Sequence, residues 1–207
     1  MLSRIRSEKL ISIIRLKEQA AVQPAVDAVI AGGIRILEIT TNTPGFSEEI
    51  EKARKKNPDI LIGAGTVINA ELAKEAITAG AQFLVTPNTV KDVVRLGRDD
   101  GIPVVMGAMT PTEVAMAVDF GADMIKLFPA GQLGIPYFKS LKEPFDSVSF
   151  IAVGGIDMEN AGEWLKAGAT GLGIGSSLVK STVRSDADFK EISVLAKKFK
   201  EIGNRAV

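Results

Sequence analysis

Residues 122–131 read ADMIKLFPAG, an apolar, strand-like stretch with one charged residue, Lys126, near its centre. An unpaired ammonium is costly to take out of water, so a strand interior is a poor place for it without a reason. Strand parity gives the direction in which it points. Met124, Lys126 and Phe128 share one face of MIKLFP, and Ile36, Glu38 and Thr40 share one face of RILEIT. The branched residues on the opposite faces suit contact with helices, which leaves Lys126 and Glu38 facing an interior. Arg15, late in ISIIRL, joins them from a third strand. Desolvation and a neighbouring cation favour a neutral lysine, which can attack a carbonyl and form a Schiff base. Glu38 can shuttle protons through water, and Arg15 can anchor a carboxylate. These three side chains suffice for imine chemistry on a 2-oxo acid. The bland alternative is a structural Lys126–Glu38 ion pair, but a buried pair gives little net stability and leaves Arg15 unexplained.

What is missing narrows the chemistry further. With no cysteine there is no thiolate nucleophile, disulfide or Cys-based zinc site, and with no histidine there is no imidazole base or metal ligand. Acid–base work falls to carboxylates, lysines, water or Tyr137, and neither a metal nor a cofactor is expected. The 25 basic and 25 acidic residues cancel, and no basic stripe interleaved with aromatics appears, which argues against a nucleic-acid partner. Apolar runs are too short to cross a bilayer, so no membrane partner is expected. Met1 leads into LSRIRSEKLISIIRL, which lacks an extended apolar segment and a small-residue cleavage site and reads as a cytoplasmic N-terminus.

The elements that must hold these residues follow a repeated phrase: a helix-like run, a small-Gly-small stop, then an apolar strand. It occurs at VIAGGIRILEIT (29–40), AITAGAQFLVTP (76–87), AVDFGADMIKLFP (117–129) and WLKAGATGLGIG (164–175). Glycine after a helix supplies a left-handed cap, and the β-rich residues beyond it start a strand. LISIIRL, ILIGAGT, IPVVMGA and VSFIAVGG add further strands, making eight, and segments such as Thr110–Glu113 and Asp157–Asn160 carry helix-start chemistry. Strict alternation of this kind predicts an α/β fold, a (β/α)8 TIM barrel formed as one domain over 1–207, rather than an open doubly wound sheet. No first-turn dinucleotide fingerprint supports the open sheet. Ser185 to Val207 reads as a final amphipathic helix.

Chemistry in such barrels sits at the C-terminal ends of the strands, where Arg15, Glu38, Thr66, Pro87 and Lys126 all fall. Phe128 follows on the lysine's face. The glycine loops AVGGID (152–157) and GIGSSLV (173–179) close the last two strands, where barrels commonly hold a phosphate on backbone amides and a following helix N-terminus. Gly154, Gly155, Gly175 and Ser176 are the expected phosphate contacts; each loop taken singly reads equally as a tight turn. Small residues in IGAGTV are expected to leave room for substrate. Thr66 is either a carboxylate contact or a cap for the helix beginning near AELAKEAI.

In order, GGIRILEITTNTP, IGAGTV, FLVTPN, MTPTE, IKLFPA, VGGI and GIGSSLV resemble the 2-keto-3-deoxy-6-phosphogluconate aldolases, including the related 4-hydroxy-2-oxoglutarate and 2-keto-3-deoxy-6-phosphogalactonate aldolases. The resemblance spans Leu10 to about Val179. It implies a class I, cofactor-free and metal-free aldolase producing pyruvate, on a barrel that is usually a homotrimer. By motif position, Lys126 corresponds to the Schiff-base lysine and Glu38 to the general acid/base. Arg15 and Thr66 correspond to contacts with the pyruvate carboxylate, and the two late glycine loops to the phosphate site. Pro87 and Phe128 complete the expected substrate contacts. Asn42 and Val153 stand where many gluconate-type members carry Arg and Thr, and resemble the galactonate type instead. Two other functions remain compatible with such a barrel: a sugar-phosphate epimerase or isomerase using Lys126 and Glu38 as two bases, and a non-catalytic sugar-phosphate-binding protein.

Overall fold

The computed structural model of the chain describes residues 1–205. Eight parallel strands close into a barrel in sequence order: β1 (Leu10–Ile14), β2 (Ile36–Thr40), β3 (Leu61–Gly65), β4 (Leu84–Val85), β5 (Val104–Ala108), β6 (Met124–Leu127), β7 (Phe150–Val153) and β8 (Gly171–Ile174). Helices α2 (Val22–Ala31), α3 (Phe46–Lys56), α4 (Ala70–Thr78), α5 (Lys91–Asp99), α6 (Pro111–Phe120), α7 (Ala130–Lys142) and α8 (Ala161–Lys166) connect them, and α9 (Asp186–Arg205) follows β8. The predicted TIM barrel is therefore the observed fold. The expected terminal helix is α9, and the last two positions of that expectation, 206 and 207, lie outside the described residues.

Two apolar layers follow from the alternation of side chains along each strand. Residues such as Ile14, Leu37, Ile39, Ile62, Leu84, Ile125 and Leu172 face outward into a core shared with the helices. Ile11, Ile13, Ile36, Leu61, Phe83, Val85, Val105, Met124, Ile151 and Val153 fill the barrel itself. Helix α1 (Leu2–Glu8), which precedes the first strand, is not among the elements expected from the sequence. It sends Leu2 and Ile5 against the inner layer, covering apolar surface at the N-terminal end of the barrel. Among the described residues, no helix is long and apolar enough to cross a membrane.

Local chemistry sets the element boundaries. The repeated glycines Gly33, Gly80, Gly121 and Gly168 all adopt positive φ, between 86° and 99°, as the small-Gly-small phrase requires. At α6, Thr110 and Glu113 form a reciprocal capping box and Pro111 occupies the first turn. The strands are shorter than the apolar runs suggest. β4 keeps only two residues, and β1, β3 and β6 stop before Arg15, Thr66 and Phe128, which therefore start loops.

Phe138 of α7 is fully buried, with its ring edge-on to Phe150 at 5.7 Å and tilted against Trp164 at 5.6 Å. Phe138→Ala is expected to cost about 3–5 kcal/mol, the usual range for emptying such a site. Urea denaturation of the two proteins checks it.

Candidate active site

β2 and β6 stand on opposite sides of the barrel and carry Glu38 and Lys126. In register, Lys126 lies between Gly107 of β5 and Ile151 of β7, and Glu38 between Ile13 of β1 and Gly63 of β3. Both side chains are buried, Glu38 being 2% exposed and Lys126 3%. The glycines around them explain how two long polar side chains fit. A β-carbon at Gly65 would overlap Glu38 Oε1, and one at Gly63 would strike the Phe83 ring. IGAGTV therefore leaves room for Glu38 and Phe83, a correction to the expectation that it leaves room for substrate. At Gly107, a β-carbon would meet the Pro87 carbonyl, which brings Pro87 against the residue paired with Lys126.

The electrostatics oppose simple pairing. Among the described residues Lys126 and Glu38 form no ion pair, and Glu38 Oε1 is buried without a hydrogen-bond partner. Burial pushes the Lys126 amine below its ordinary value; Glu38 opposes that shift and Arg15 reinforces it. Burial likewise raises Glu38, against the pull of Lys126 and then Arg15. Both changes favour the uncharged forms. Lys126 Nζ also lies 5.2 Å from the centroid of the Phe128 ring.

Arg15 reaches over the strand ends and donates from Nη2 to Thr66 Oγ1 at 3.2 Å. Thr66 has φ 59°, an uncommon left-handed conformation for a β-branched residue. Its carbonyl accepts from Thr41 Oγ1 at 2.7 Å, and Val67 N–H donates to the Val85 carbonyl at 3.1 Å, so both sides of the turn are tied down. The cap of α4 is Asn69, whose side chain accepts from Leu72 N–H, so the capping alternative for Thr66 is wrong.

Arg15, Lys126, Phe128, Gly154, Gly155, Gly175 and Ser176 line one cavity of about 580 Å³ at the C-terminal ends of the strands. Glu38, Thr66 and Pro87 are outside this lining and reach it through the contacts just described. Gly154 and Gly155 have φ 88° and 72°. The amides of Gly154, Gly155, Ile156, Gly175 and Ser176 donate to no acceptor among the described residues, which suits an anion. Ser176, whose hydroxyl is a further donor, lines the same cavity. The six-residue α8 is short, and the β8 loop continues into turns before α9 begins at Asp186, so the expected helix N-terminus after that loop is absent. Ile156, Asp157, Ser177 and Ser181 are among the further residues that line the cavity and were not anticipated. Asp157, directly after the double glycine and Ile156, was the available signal, although its spacing to Asn160 suggests only helix-start chemistry. Among the described residues, no group of three His, Cys, Asp or Glu side chains could hold a metal.

Known proteins share this arrangement of the whole chain. The model of the KDPG and KHG aldolase family matches residues 1–195. The 2-dehydro-3-deoxy-phosphogluconate aldolase of Treponema pallidum (strain Nichols) is 33% identical over 195 residues, 94% of this chain and 93% of its own. The 2-dehydro-3-deoxy-6-phosphogalactonate aldolase of Escherichia coli K12 is 34% identical over 178 residues, 85% of this chain and 87% of its own. KDPG aldolase from Legionella pneumophila, solved with pyruvate captured at low pH as a covalent carbinolamine, superposes with a TM-score of 0.86 at 31% identity, covering 93% of this chain and 94% of that one. Barrel and relatives together define a class I aldolase, an aldehyde-lyase. The chain belongs to the KDPG and KHG aldolase family.

Two outcomes follow from this geometry. Gly65→Ala is expected to displace the Glu38 carboxylate, lowering turnover by on the order of 10²-fold, within the range for lost acid–base catalysis. Circular dichroism should still show a folded barrel. Because Arg15 lowers the Lys126 pKa, Arg15→Gln should raise it. The pH midpoint for trapping pyruvate with borohydride should accordingly move upward, measurable as adduct yield against pH.

Proposed function

We propose that this aldolase cleaves 2-keto-3-deoxy-6-phosphogluconate to pyruvate and glyceraldehyde 3-phosphate, with Lys126 as nucleophile and Glu38 as proton carrier. The 4-hydroxy-2-oxoglutarate and galactonate C4-epimer substrates are the nearest alternatives. The carrying observation is the buried, mutually unpaired Lys126 and Glu38 beneath a cavity with unbonded backbone amides. Neutral Lys126 attacks the C2 carbonyl, and protonated Glu38 gives its proton, directly or through water, to the departing carbinolamine oxygen; loss of water leaves a protonated imine and an ionised Glu38 carboxylate. Glu38, directly or through water, takes the C4 hydroxyl proton as the C3–C4 bond breaks. The bonding electrons pass to the imine nitrogen, and the aldehyde leaves. Protonation of the resulting enamine at C3 and hydrolysis release pyruvate and the lysine.

Arg15 and Thr66 are proposed to hold the carboxylate. The hydrogen bond between them restrains the guanidinium at the cavity that Lys126 also lines. Pro87 and Phe128 would flank the reacting carbons, and the amides of Gly154, Gly155, Gly175 and Ser176 would hold the phosphate. Val153, whose side chain packs against Gly173, offers the substrate an apolar wall where a threonine would offer a hydroxyl. Together with exposed Asn42, it motivates testing both C4 epimers. A homotrimer is also proposed from the family resemblance, and Met109, Met116 and Val118, exposed on and before α6, are available to an interface.

Incubation with pyruvate and borohydride should label Lys126, mapped by mass spectrometry; an unlabelled Lys126 would end the imine reading. Lys126→Ala should abolish labelling while remaining folded, and Lys126→Arg should fail too, since guanidinium stays protonated. Glu38→Gln should slow turnover by roughly 10²–10⁴-fold yet still form some adduct. Side-by-side rates on the two epimers identify the preferred substrate, and a monomeric mass by light scattering at micromolar concentration would contradict the trimer.

A further inference from the structure

Beside the proposed phosphate amides, three consecutive carbonyls each accept a hydrogen bond from a different part of the chain. Gly131 N–H, at the start of α7, donates to the Gly154 carbonyl at 2.7 Å. Asn160 Nδ2 donates to the Gly155 carbonyl at 2.8 Å. Ser177 Oγ, from the β8 loop, donates to the Ile156 carbonyl at 2.6 Å. A trans peptide sets its N–H opposite its C=O, so fixing the carbonyl of one residue also aims the amide of the next. The first two bonds thereby orient the amides of Gly155 and Ile156, neither of which has an acceptor among the described residues. The third orients the amide of Asp157, which donates to Asn160 Oδ1 at 3.1 Å. With Oδ1 occupied in this way, the Asn160 side chain keeps its NH₂ directed at Gly155.

We infer that Asn160 and Ser177 are positioning residues for the phosphate of the substrate: Asn160 holds the Gly155 carbonyl away and leaves the Ile156 amide available to the anion, while Ser177, through the Ile156 carbonyl, aims the Asp157 amide at Asn160 Oδ1 and so keeps Asn160 in place. This inference rests on the phosphorylated substrate proposed above. Two adjacent glycines at positive φ permit the loop conformation but also allow its peptides to flip. A flipped peptide would present a carbonyl oxygen where an amide should meet the phosphate, replacing attraction by repulsion. Asp157 adds a second restraint on the same turn, accepting from the amides of Glu159 at 2.9 Å and Asn160 at 3.0 Å. Neither Asn160 nor Ser177 needs to touch the substrate for this role, because each acts through a backbone carbonyl.

The discriminating readout compares a phosphorylated ligand with one lacking phosphate. Ser177→Ala and Asn160→Ala are each assayed in two ways. One is the KM measured with the phosphorylated substrate, 2-keto-3-deoxy-6-phosphogluconate. The other is the pyruvate concentration giving half-maximal borohydride trapping on Lys126. Weakening a charge-assisted contact is expected to raise that KM about tenfold. Half-trapping by pyruvate should stay unchanged. Ser177→Thr, which keeps the hydroxyl, should restore the KM. An unaltered KM in both alanine variants, or equal losses in KM and pyruvate trapping, would overturn the inference, as would a Ser177→Thr variant no better than Ser177→Ala. An unmutated enzyme that traps no pyruvate overturns the imine reading instead, and this is seen before any variant is made.

Discussion

A buried amine and a buried carboxylate enclosed in one barrel set the terms for the rest of the structure. Burial favours the uncharged form of each, lowering Lys126 and raising Glu38, and their mutual attraction opposes both shifts. Had the two closed into a tight ion pair, attraction would hold both charged and the amine would be unreactive. They do not close to that distance, and Arg15 adds a cation that further disfavours protonated Lys126. Side-chain volume at β3 and β5 is given up to make this possible, with Gly65 yielding its β-carbon space to the Glu38 carboxylate. At the opposite end, α1 applies Leu2 and Ile5 to the inner layer, covering apolar surface there.

Strands and loops divide the remaining work according to their stiffness. Lys126 and Glu38 sit within paired strands, where register fixes their height and facing. Groups suited to binding an anion lie on loops, which need restraint from elsewhere. Arg15 is restrained through Thr66, and Thr66 through Thr41 and the Val67–Val85 bond. The double-glycine turn is restrained through three carbonyls, by donors from α7, Asn160 and the β8 loop. Such cross-links let a flexible segment keep its amides oriented before any ligand arrives, which lowers the ordering cost of binding.

The electrostatic design of the site uses neither histidine nor cysteine, since the chain contains none of either. A structural-pair reading of Lys126 and Glu38 fits the geometry less well. A pair retained only for stability should satisfy its oxygens, and Glu38 Oε1 remains unsatisfied in the interior. An orphaned buried carboxyl oxygen is costly, and its coupling to an amine that burial biases toward the neutral form gives that cost a chemical use.

Much of this was legible in the residues themselves, because local physics carries it. A period of two placed Lys126 and Glu38 inward, four post-helical glycines marked where strands begin, and Thr110–Glu113 marked a helix start; each depends on residues only a few positions apart. The cost of burying a lysine made Lys126 conspicuous without any neighbour in view. What only the tertiary structure decided depends on residues brought together from far along the chain. Gly65 serves Glu38 rather than substrate because β2 and β3 pair in that register. Thr66 meets Arg15 rather than capping α4, and Ser177 reaches Ile156, only once the barrel has closed. Closure of the barrel sets those distances, and no local preference in the sequence encodes them.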